Sequence, residues 1–265
     1  MRRFAVVCFA LFTLAGFFVH ARADDDSWST VKGRIVWDGA NVPKQKPLAD
    51  IMKSADKNHC LAKGDILDEE WVVNPKNKGI RWTFVWLADK GYPKVKTAPP
   101  IHPDLKEIKV KDVVMDQPMC KFVPHALGMR EGQVLVSKNS SPIAHNYKWQ
   151  GSIAKGIAGN VLIPPNGKFE IKGLVADIRP VLINCNIHTW MKGYVRVFDH
   201  PYFAVTDENG AFEMPKAPAG NYRLFIWHGS GGWSGGAEGK NGQPITIKAG
   251  APTNLGELKY KLSES

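Results

Sequence analysis

From about residue 24 onwards, the chain consists of short apolar or alternating runs separated by Gly, Pro, Asn and Asp, with almost no helical periodicity. An alternating run places its apolar side chains on one face of a strand, whereas a helix requires apolar residues three and four apart. The 25 Gly and 18 Pro of the 265-residue chain supply the turns between the runs. The pattern therefore predicts an all-β fold.

The predicted strands follow these runs along the whole chain. A short helix near Leu48–Lys57 is compatible with the sequence, which does not demand it. Asn209-Gly210 is typical of a tight hairpin turn. The strands are predicted at Val31–Trp37, Glu70–Asn74, Trp82–Ala88, Glu107–Met115, Lys121–Ala126, Gln133–Lys138, Lys168–Ile171, Val181–Cys185, Tyr194–Asp199, Phe203–Thr206, Ala211–Met214, Asn221–Trp227, Pro244–Ile247 and Asn254–Lys259.

The first 23 residues have the pattern of a signal peptide rather than of a folded element. A short basic start precedes an apolar run over Phe4–Val19, and Ala21-Arg22-Ala23 is an A-x-A cleavage signal. A membrane anchor is the alternative, but the run is shorter than the roughly 20 residues of a spanning helix. No later stretch is apolar enough to span a membrane. We therefore expect cleavage after Ala23 and a periplasmic or secreted protein.

The charge of the chain argues against nucleic-acid binding. Without Arg2, Arg3 and Arg22, 32 basic residues remain against 25 acidic ones, a net charge of +7. The lysines are scattered over strands and loops, whereas nucleic-acid binding requires a basic run or face. A basic surface would instead steer the chain towards an acidic protein partner.

Three cysteines remain after removal of the signal peptide. An odd number in an oxidising compartment leaves one thiol with a role other than pairing. Cys185 has the strongest claim to that role, which leaves Cys60 and Cys120 as a disulfide pair. The alternative is a second metal site in which the same two cysteines join His59 and His125.

The sequence V-L-I-N-C-N-I-H-T-W-M-K-G-Y-V-R-V, residues 181–197, concentrates metal-binding side chains in one loop. Cys185, His188 and Met191 offer a thiolate, an imidazole and a thioether. A type 1 copper site requires two His and one Cys in a near-trigonal plane with a weak axial Met. Zinc also accepts Cys and His, but it prefers another hard or thiolate ligand to a thioether. The loop therefore predicts copper and requires a second histidine.

His145, in S-K-N-S-S-P-I-A-H-N-Y-K-W, lies 40 residues before Cys185 and supplies that ligand. The order His…Cys-x2-His-x2-Met resembles the plastocyanin- and amicyanin-like cupredoxins, the blue copper proteins. The resemblance implies a Greek-key β-sandwich over residues 107–199 and one type 1 copper ion. It also implies that Asn146 ties the two ligand loops together and that His188 has an exposed edge for electron exchange. Trp190 departs from the family, which often has Pro or another apolar residue there, and we expect it to shield the metal from water.

The sequence pattern changes in the last part of the chain. V-T-D-E-N-G-A-F-E-M-P-K-A-P-A-G-N-Y-R-L-F-I-W-H, residues 205–228, resembles the carboxypeptidase-regulatory-like, or transthyretin-like, β-sandwich. The expected division is a signal peptide at 1–23, an N-terminal β extension at 24–106, the copper domain at 107–199 and the smaller sandwich at 200–265. The extension is free to supply strands to either sandwich, and the sequence does not choose between them.

These features predict an electron carrier rather than an enzyme. The sequence indicates no second copper centre or pocket with a general base, and it contains no His-x-His pair of the multicopper oxidase type. The expected partner is a redox protein, a cytochrome or dehydrogenase with an acidic docking face. Two alternatives remain: a scaffold protein that binds through its C-terminal sandwich and holds structural or stored copper, and a periplasmic copper chaperone.

Overall fold

The computed structural model describes residues 27–94, 97–151 and 158–262, so the predicted signal peptide lies outside the described residues. The described chain is nearly all β, which confirms the predicted fold class. Its helices are a 3-10 helix at Ala49–Lys53, α1 (Lys57–Cys60), α2 (Pro103–Lys106) and α3 (Gly236–Gly239). None of them has the length and apolar character needed to cross a bilayer. Its strands are β1 (Trp28–Trp37), β2 (Phe84–Asp89), β3 (Asp112–Asp116), β4 (Ala126–Arg130), β5 (Val134–Lys138), β6 (His145–Gln150), β7 (Ala158–Ile163), β8 (Lys168–Ile171), β9 (Val181–Asn184), β10 (Lys192–Phe198), β11 (Phe203–Val205), β12 (Ala211–Pro218), β13 (Gly220–His228), β14 (Gly232–Trp233), β15 (Gln243–Ile247) and β16 (Thr253–Tyr260).

The middle of the chain forms one β-sandwich, here called the central sandwich. One sheet has the strand order β4-β10-β9-β6-β7, and the facing sheet has the order β3-β5-β8. Their inner faces meet in an apolar core that contains Met115, Met129, Leu135 and Ile183, none more than 1% exposed. The two sheets thus bury one face each, the usual arrangement of a sandwich.

The two ends of the chain together form a second sandwich, the terminal sandwich. One sheet has the order β12-β1-β16, and the other has the order β11-β2-β13-β14 with β15 also paired to β13. Strand β1 lies antiparallel to β12, with Val31 opposite Met214, and parallel to β16. The strands of the N-terminal extension, β1 and β2, therefore both pair with strands of the C-terminal region.

Aromatic side chains hold the two sandwiches together. Trp86 and Phe225 of the terminal sandwich stack at 5.1 Å, and Trp86 meets Phe198 of β10 edge to face at 6.0 Å. Phe203 stacks on Phe198 at 4.0 Å. Aromatic pairs of this kind contribute beyond the area they bury.

Residues 48–66, here called the cap segment, pack against the central sandwich. Ile51, Cys60 and Ile66 are buried in its core, at 0%, 1% and 8% exposure. A disulfide joins Cys60 to Cys120, with an S–S distance of 2.06 Å. The alternative of a second metal site with these two cysteines is therefore wrong, because their sulfurs are bonded to each other. Among the described residues, Cys185 is the free cysteine.

Two of the predicted strands are wrong. Glu70–Asn74 forms only an isolated bridge between Val73 and Ile80, and Lys121–Ala126 forms only one between Asp116 and Val123. Pro124 lacks the N–H that a strand interior needs. Conversely, the sequence did not predict β4, β6, β7 or β14.

Candidate metal centre

Two neighbouring strands bring the predicted ligands together. His145 is the first residue of β6, and Cys185 directly follows β9, which pairs with β6. The loop from Cys185 ends at Met191, just before β10 begins. Within the loop the Met191 N–H donates to the His188 carbonyl oxygen (2.9 Å), and the Cys185 N–H donates to the Met191 carbonyl oxygen (3.3 Å). All four side chains are buried, none more than 1% exposed.

Three donor atoms converge on one point. The Nδ1 atoms of His145 and His188 are 3.0 Å apart, and the Sγ of Cys185 lies 3.9 Å from the Nδ1 of His188. One donor atom from each of the three residues lies within 4.8 Å of the others. The side chain of Met191 is buried in the same core cluster as Cys185. The structure therefore gathers three of the predicted ligands at one site, and Met191 lies in the same buried core.

Asn146 connects the two segments that carry the ligands. Its Oδ1 accepts hydrogen bonds from the backbone N–H groups of Asn186 (2.5 Å) and Ile187 (3.3 Å), and its Nδ2 donates to the Oδ1 of Asn160 (2.7 Å). The Cys185 Sγ lies 3.2 Å from the same Asn146 Oδ1. This one side chain therefore fixes the position of the ligand loop relative to β6, the role implied by the family resemblance.

An aspartate of the cap segment fixes the orientation of His188. The His188 Nε2 lies 3.0 Å from the Oδ2 of Asp56. A carboxylate accepts hydrogen bonds, so the proton of this contact belongs to Nε2, and Nδ1 is the ring nitrogen that faces the other predicted ligands. Such a carboxylate–histidine pair is the usual outer partner of a metal-bound imidazole. Sequence reasoning missed Asp56, because nothing in D-K-N-H-C marks it as a neighbour of a residue 132 positions later.

The expected exposed edge of His188 is wrong, because the cap segment and Trp190 cover this side chain. His188 is 0% exposed. The Trp190 ring lies 5.3 Å from the imidazole, and its Nε1 donates to the carbonyl oxygen of Cys120 (3.1 Å). Trp190 is only partly buried, so it lies between the ligand and the surface.

His145 is in a state that suits a metal ligand. Burial, together with smaller contributions from the neighbouring His188 and His59, lowers its pKa to about 4. The ring is therefore neutral at neutral pH, with a lone pair to donate. Its Nε2 is buried without a hydrogen-bond partner among the described residues.

The donor set fits a first-row metal ion. Zinc, for example, binds nitrogen at about 2.0–2.1 Å and sulfur at about 2.3 Å, so two donors on one ion lie within about 4.6 Å of each other. The separations of 3.0 and 3.9 Å satisfy this condition. Two nitrogens, one thiolate and an adjacent thioether form the set that copper prefers, since the sulfur ligands suit Cu(I) and imidazole suits both oxidation states.

A groove adjoins the ligand loop at Trp190 and Met191. Its volume is about 550 Å³, and its walls come from the cap segment, the following residues 67–71, and the ligand loop. Four carboxylates line it against two lysines, so the surface next to the site is acidic although the whole chain is basic. We call this groove the acidic groove. Its charged lining residues are Asp50, Asp68, Glu69, Glu70, Lys121 and Lys192.

Four other histidines, His102, His125, His200 and His228, do not belong to this centre. The Nδ1 of His125 is 3.5 Å from a Glu69 carboxylate oxygen. His200 and His228 are buried, and burial lowers the pKa of each to about 3. His102 accepts a hydrogen bond from the Asp104 N–H at the start of α2. These four histidines therefore have structural partners rather than shared ligand geometry.

Comparisons with known proteins found similarity to solved structures only. No protein-family model matches the chain, and no curated protein matches it. A reduced amicyanin variant is 18% identical, with a TM-score of 0.30, over 35% of this chain and 87% of its own. A purple cupredoxin from Nitrosopumilus maritimus is 18% identical, with a TM-score of 0.28, over 33% of this chain and 100% of its own. The resemblance of the terminal sandwich to carboxypeptidase-regulatory-like modules stays a prediction.

Proposed function

We propose that this chain is an exported, mononuclear type 1 copper protein that transfers single electrons between redox partners. The observation that carries the proposal is the buried convergence of His145, His188 and Cys185 beside Met191. Copper bound there would supply a reversible one-electron couple. Export is supported by the N-terminal sequence and by the Cys60–Cys120 disulfide, which suits an oxidising compartment.

The protein's own residues would keep the site unchanged during electron transfer. Asn146 holds the ligand loop, and Asp56 holds the His188 ring from outside. The Cys185 Sγ accepts a hydrogen bond from the His188 N–H at 3.4 Å, which fixes the position of the sulfur in the loop. A set of ligands fixed in this way changes little between oxidation states. The same closure disfavours a copper chaperone, which must expose a ligand to hand over its metal.

We propose that electrons enter or leave by the acidic groove. The His188 edge is covered, whereas Trp190 and Met191 both border the groove. The partner remains a redox protein, a cytochrome or dehydrogenase. Four carboxylates line the acidic groove, so the surface of the partner that contacts it would be basic. The net charge of the chain alone would instead favour an acidic partner.

The first experiment tests the copper site. Mature protein loaded with Cu(II) should bind one equivalent, turn intensely blue or green, and bleach reversibly with ascorbate. The Cys185→Ser variant should remain colourless, whereas the matched core variant Met129→Leu should keep the colour, because Met129 is buried away from the ligand loop. A colourless wild-type complex, or colour that survives in Cys185→Ser, would refute the proposal.

The second experiment tests the route. The reduced protein is oxidised by cationic tris(phenanthroline)cobalt(III) and by anionic ferricyanide at several ionic strengths. The double variant Asp68→Asn/Glu70→Gln should slow oxidation by the cationic reagent and weaken the salt dependence of this rate. The remote variant Asp112→Asn/Glu213→Gln removes the same charge and should have a smaller effect. Equal effects of the two double variants would contradict exchange through the groove.

A further inference from the structure

A second cavity lies far along β10 from the ligand loop, where the two sandwiches meet. Its volume is about 340 Å³, which is within the range of small-molecule sites. Strand β10 forms one wall, and β2 and β13 form the other. Four aromatic side chains line it: Trp86, Tyr92, Phe198 and Phe225. The proposed copper function makes no use of this cavity.

A buried arginine lines the cavity. Arg196 is only 6% exposed, and its guanidinium carbon lies 3.5 Å above the centre of the Trp86 ring and 4.5 Å from that of Phe198. Burial lowers its pKa to about 9, so the side chain remains charged at neutral pH. A buried charge normally requires an ionic or hydrogen-bonding partner.

Two of the donor atoms of Arg196, Nε and Nη1, are buried without a hydrogen bond. The carboxylates of Asp177 and Asp199 also line the cavity, and their charges partly offset the effect of burial on the Arg196 pKa. Asp199 is at the rim of the cavity with half of its side chain exposed, and its Oδ1 lies 4.0 Å from the Nε2 of His200. Cation–π contact with Trp86 compensates only part of the cost of burial.

We propose that this cavity binds a small organic carboxylate with a flat apolar or aromatic body. The carboxylate would pair with the Arg196 guanidinium, whose donors suit a planar anion. The apolar body would pack between the aromatic walls. The Asp199 carboxylate at the rim would pair with a cationic group on the same ligand, such as the ammonium group of an aromatic amino acid.

Isothermal titration calorimetry of the mature protein with benzoate, benzamide and L-phenylalanine tests this assignment. Benzoate should bind at least tenfold more tightly than benzamide, its neutral analogue of similar shape, and L-phenylalanine should also bind. Arg196→Met should reduce the affinity for benzoate at least tenfold, a loss of about 1.4 kcal/mol in binding free energy. Arg196→Lys should retain more affinity than Arg196→Met, because it keeps the charge.

Two control variants test whether benzoate binds at Arg196 and not elsewhere on the protein. Arg81 also stacks on a tryptophan, Trp82, at 4.1 Å, but it does not line this cavity, so Arg81→Met should leave benzoate affinity unchanged. Cys185→Ser should also bind benzoate normally, because the metal centre is elsewhere. Wild-type protein that does not bind benzoate, or that binds benzamide equally well, would overturn the proposal whether or not the variants fold. Loss of binding in Cys185→Ser would overturn it as well.

Discussion

Removal of the Asp56 carboxylate should weaken both the fold and the metal site. In Asp56→Ala the buried Nε2 of His188, now 3.0 Å from the carboxylate, loses its acceptor. A buried donor without a partner costs about 1–3 kcal/mol. The Asp56 side chain is 35% exposed, so water can replace part of this interaction, and we expect a loss of about 1–2 kcal/mol in the free energy of unfolding of the metal-free protein.

The same change should affect copper affinity more strongly than it affects folding stability. Loss of an outer partner of a metal-bound histidine typically reduces metal affinity about 10–100-fold. Loss of a negative charge near the metal disfavours Cu(II), so the reduction potential should rise. Asp56→Asn keeps an acceptor without the charge and should lie between Asp56→Ala and the wild type.

Urea unfolding of the metal-free protein, competition with a copper chelator, and voltammetry measure these three quantities. Asp50→Ala is the matched control. Asp50 also belongs to the cap segment, but it pairs with Lys53 on the surface, at 3.0 Å and with both side chains more than 60% exposed. Such a pair contributes less than about 1 kcal/mol. If Asp56→Ala and Asp50→Ala behave alike in all three measurements, Asp56 does not hold His188.

Three further predictions concern the disulfide, a buried histidine and the thioether. Cys60→Ser/Cys120→Ser opens a loop with a sequence separation of 60 residues, which should lower the free energy of unfolding in urea by about 4 kcal/mol and speed copper loss to chelators. The pKa of His228 falls from 6.5 to about 3 on folding, so between these pH values the unfolded chain binds one more proton and acid destabilises the fold. His228→Phe should therefore reduce the loss of stability, measured in urea between pH 6 and 4, by up to about 1.4 kcal/mol per pH unit. Met191→Gln replaces a soft ligand by a hard oxygen that favours Cu(II), so voltammetry should show a lower potential, whereas Met129→Leu should leave it unchanged.

The ligand loop was predictable because its chemistry is local in sequence. Cys185, His188 and Met191 lie within one turn between two strands, and the apolar run before Cys185 already marks β9. His145 required a longer inference, from the order and spacing of the ligands. The structure brings the donor atoms of His145, Cys185 and His188 together, because β6 and β9 are adjacent in one sheet, and it buries Met191 in the same core.

The strand that carries His145 was less predictable, and so was its neighbour β7. β7 contains Asn160 and Gly159, residues that strands generally disfavour. Gly159 lies opposite Trp149 of β6, and a Cβ on this glycine would approach the indole ring to 2.1 Å. The glycine is therefore required by a bulky cross-strand neighbour, which local propensity does not reveal.

The cover over His188 depends on contacts between distant parts of the chain. Ile51 packs into the core of the central sandwich, and the Cys60–Cys120 disulfide fastens the cap segment. Together they place Asp56 against His188. The family resemblance predicted an open edge at this histidine, since nothing local to residues 185–191 indicates a cover. Because the cap closes this edge, the partly buried Trp190 and the acidic groove become the nearest route to the site. The local carboxylates, rather than the net charge of +7 that remains without residues 1–23, would select the partner.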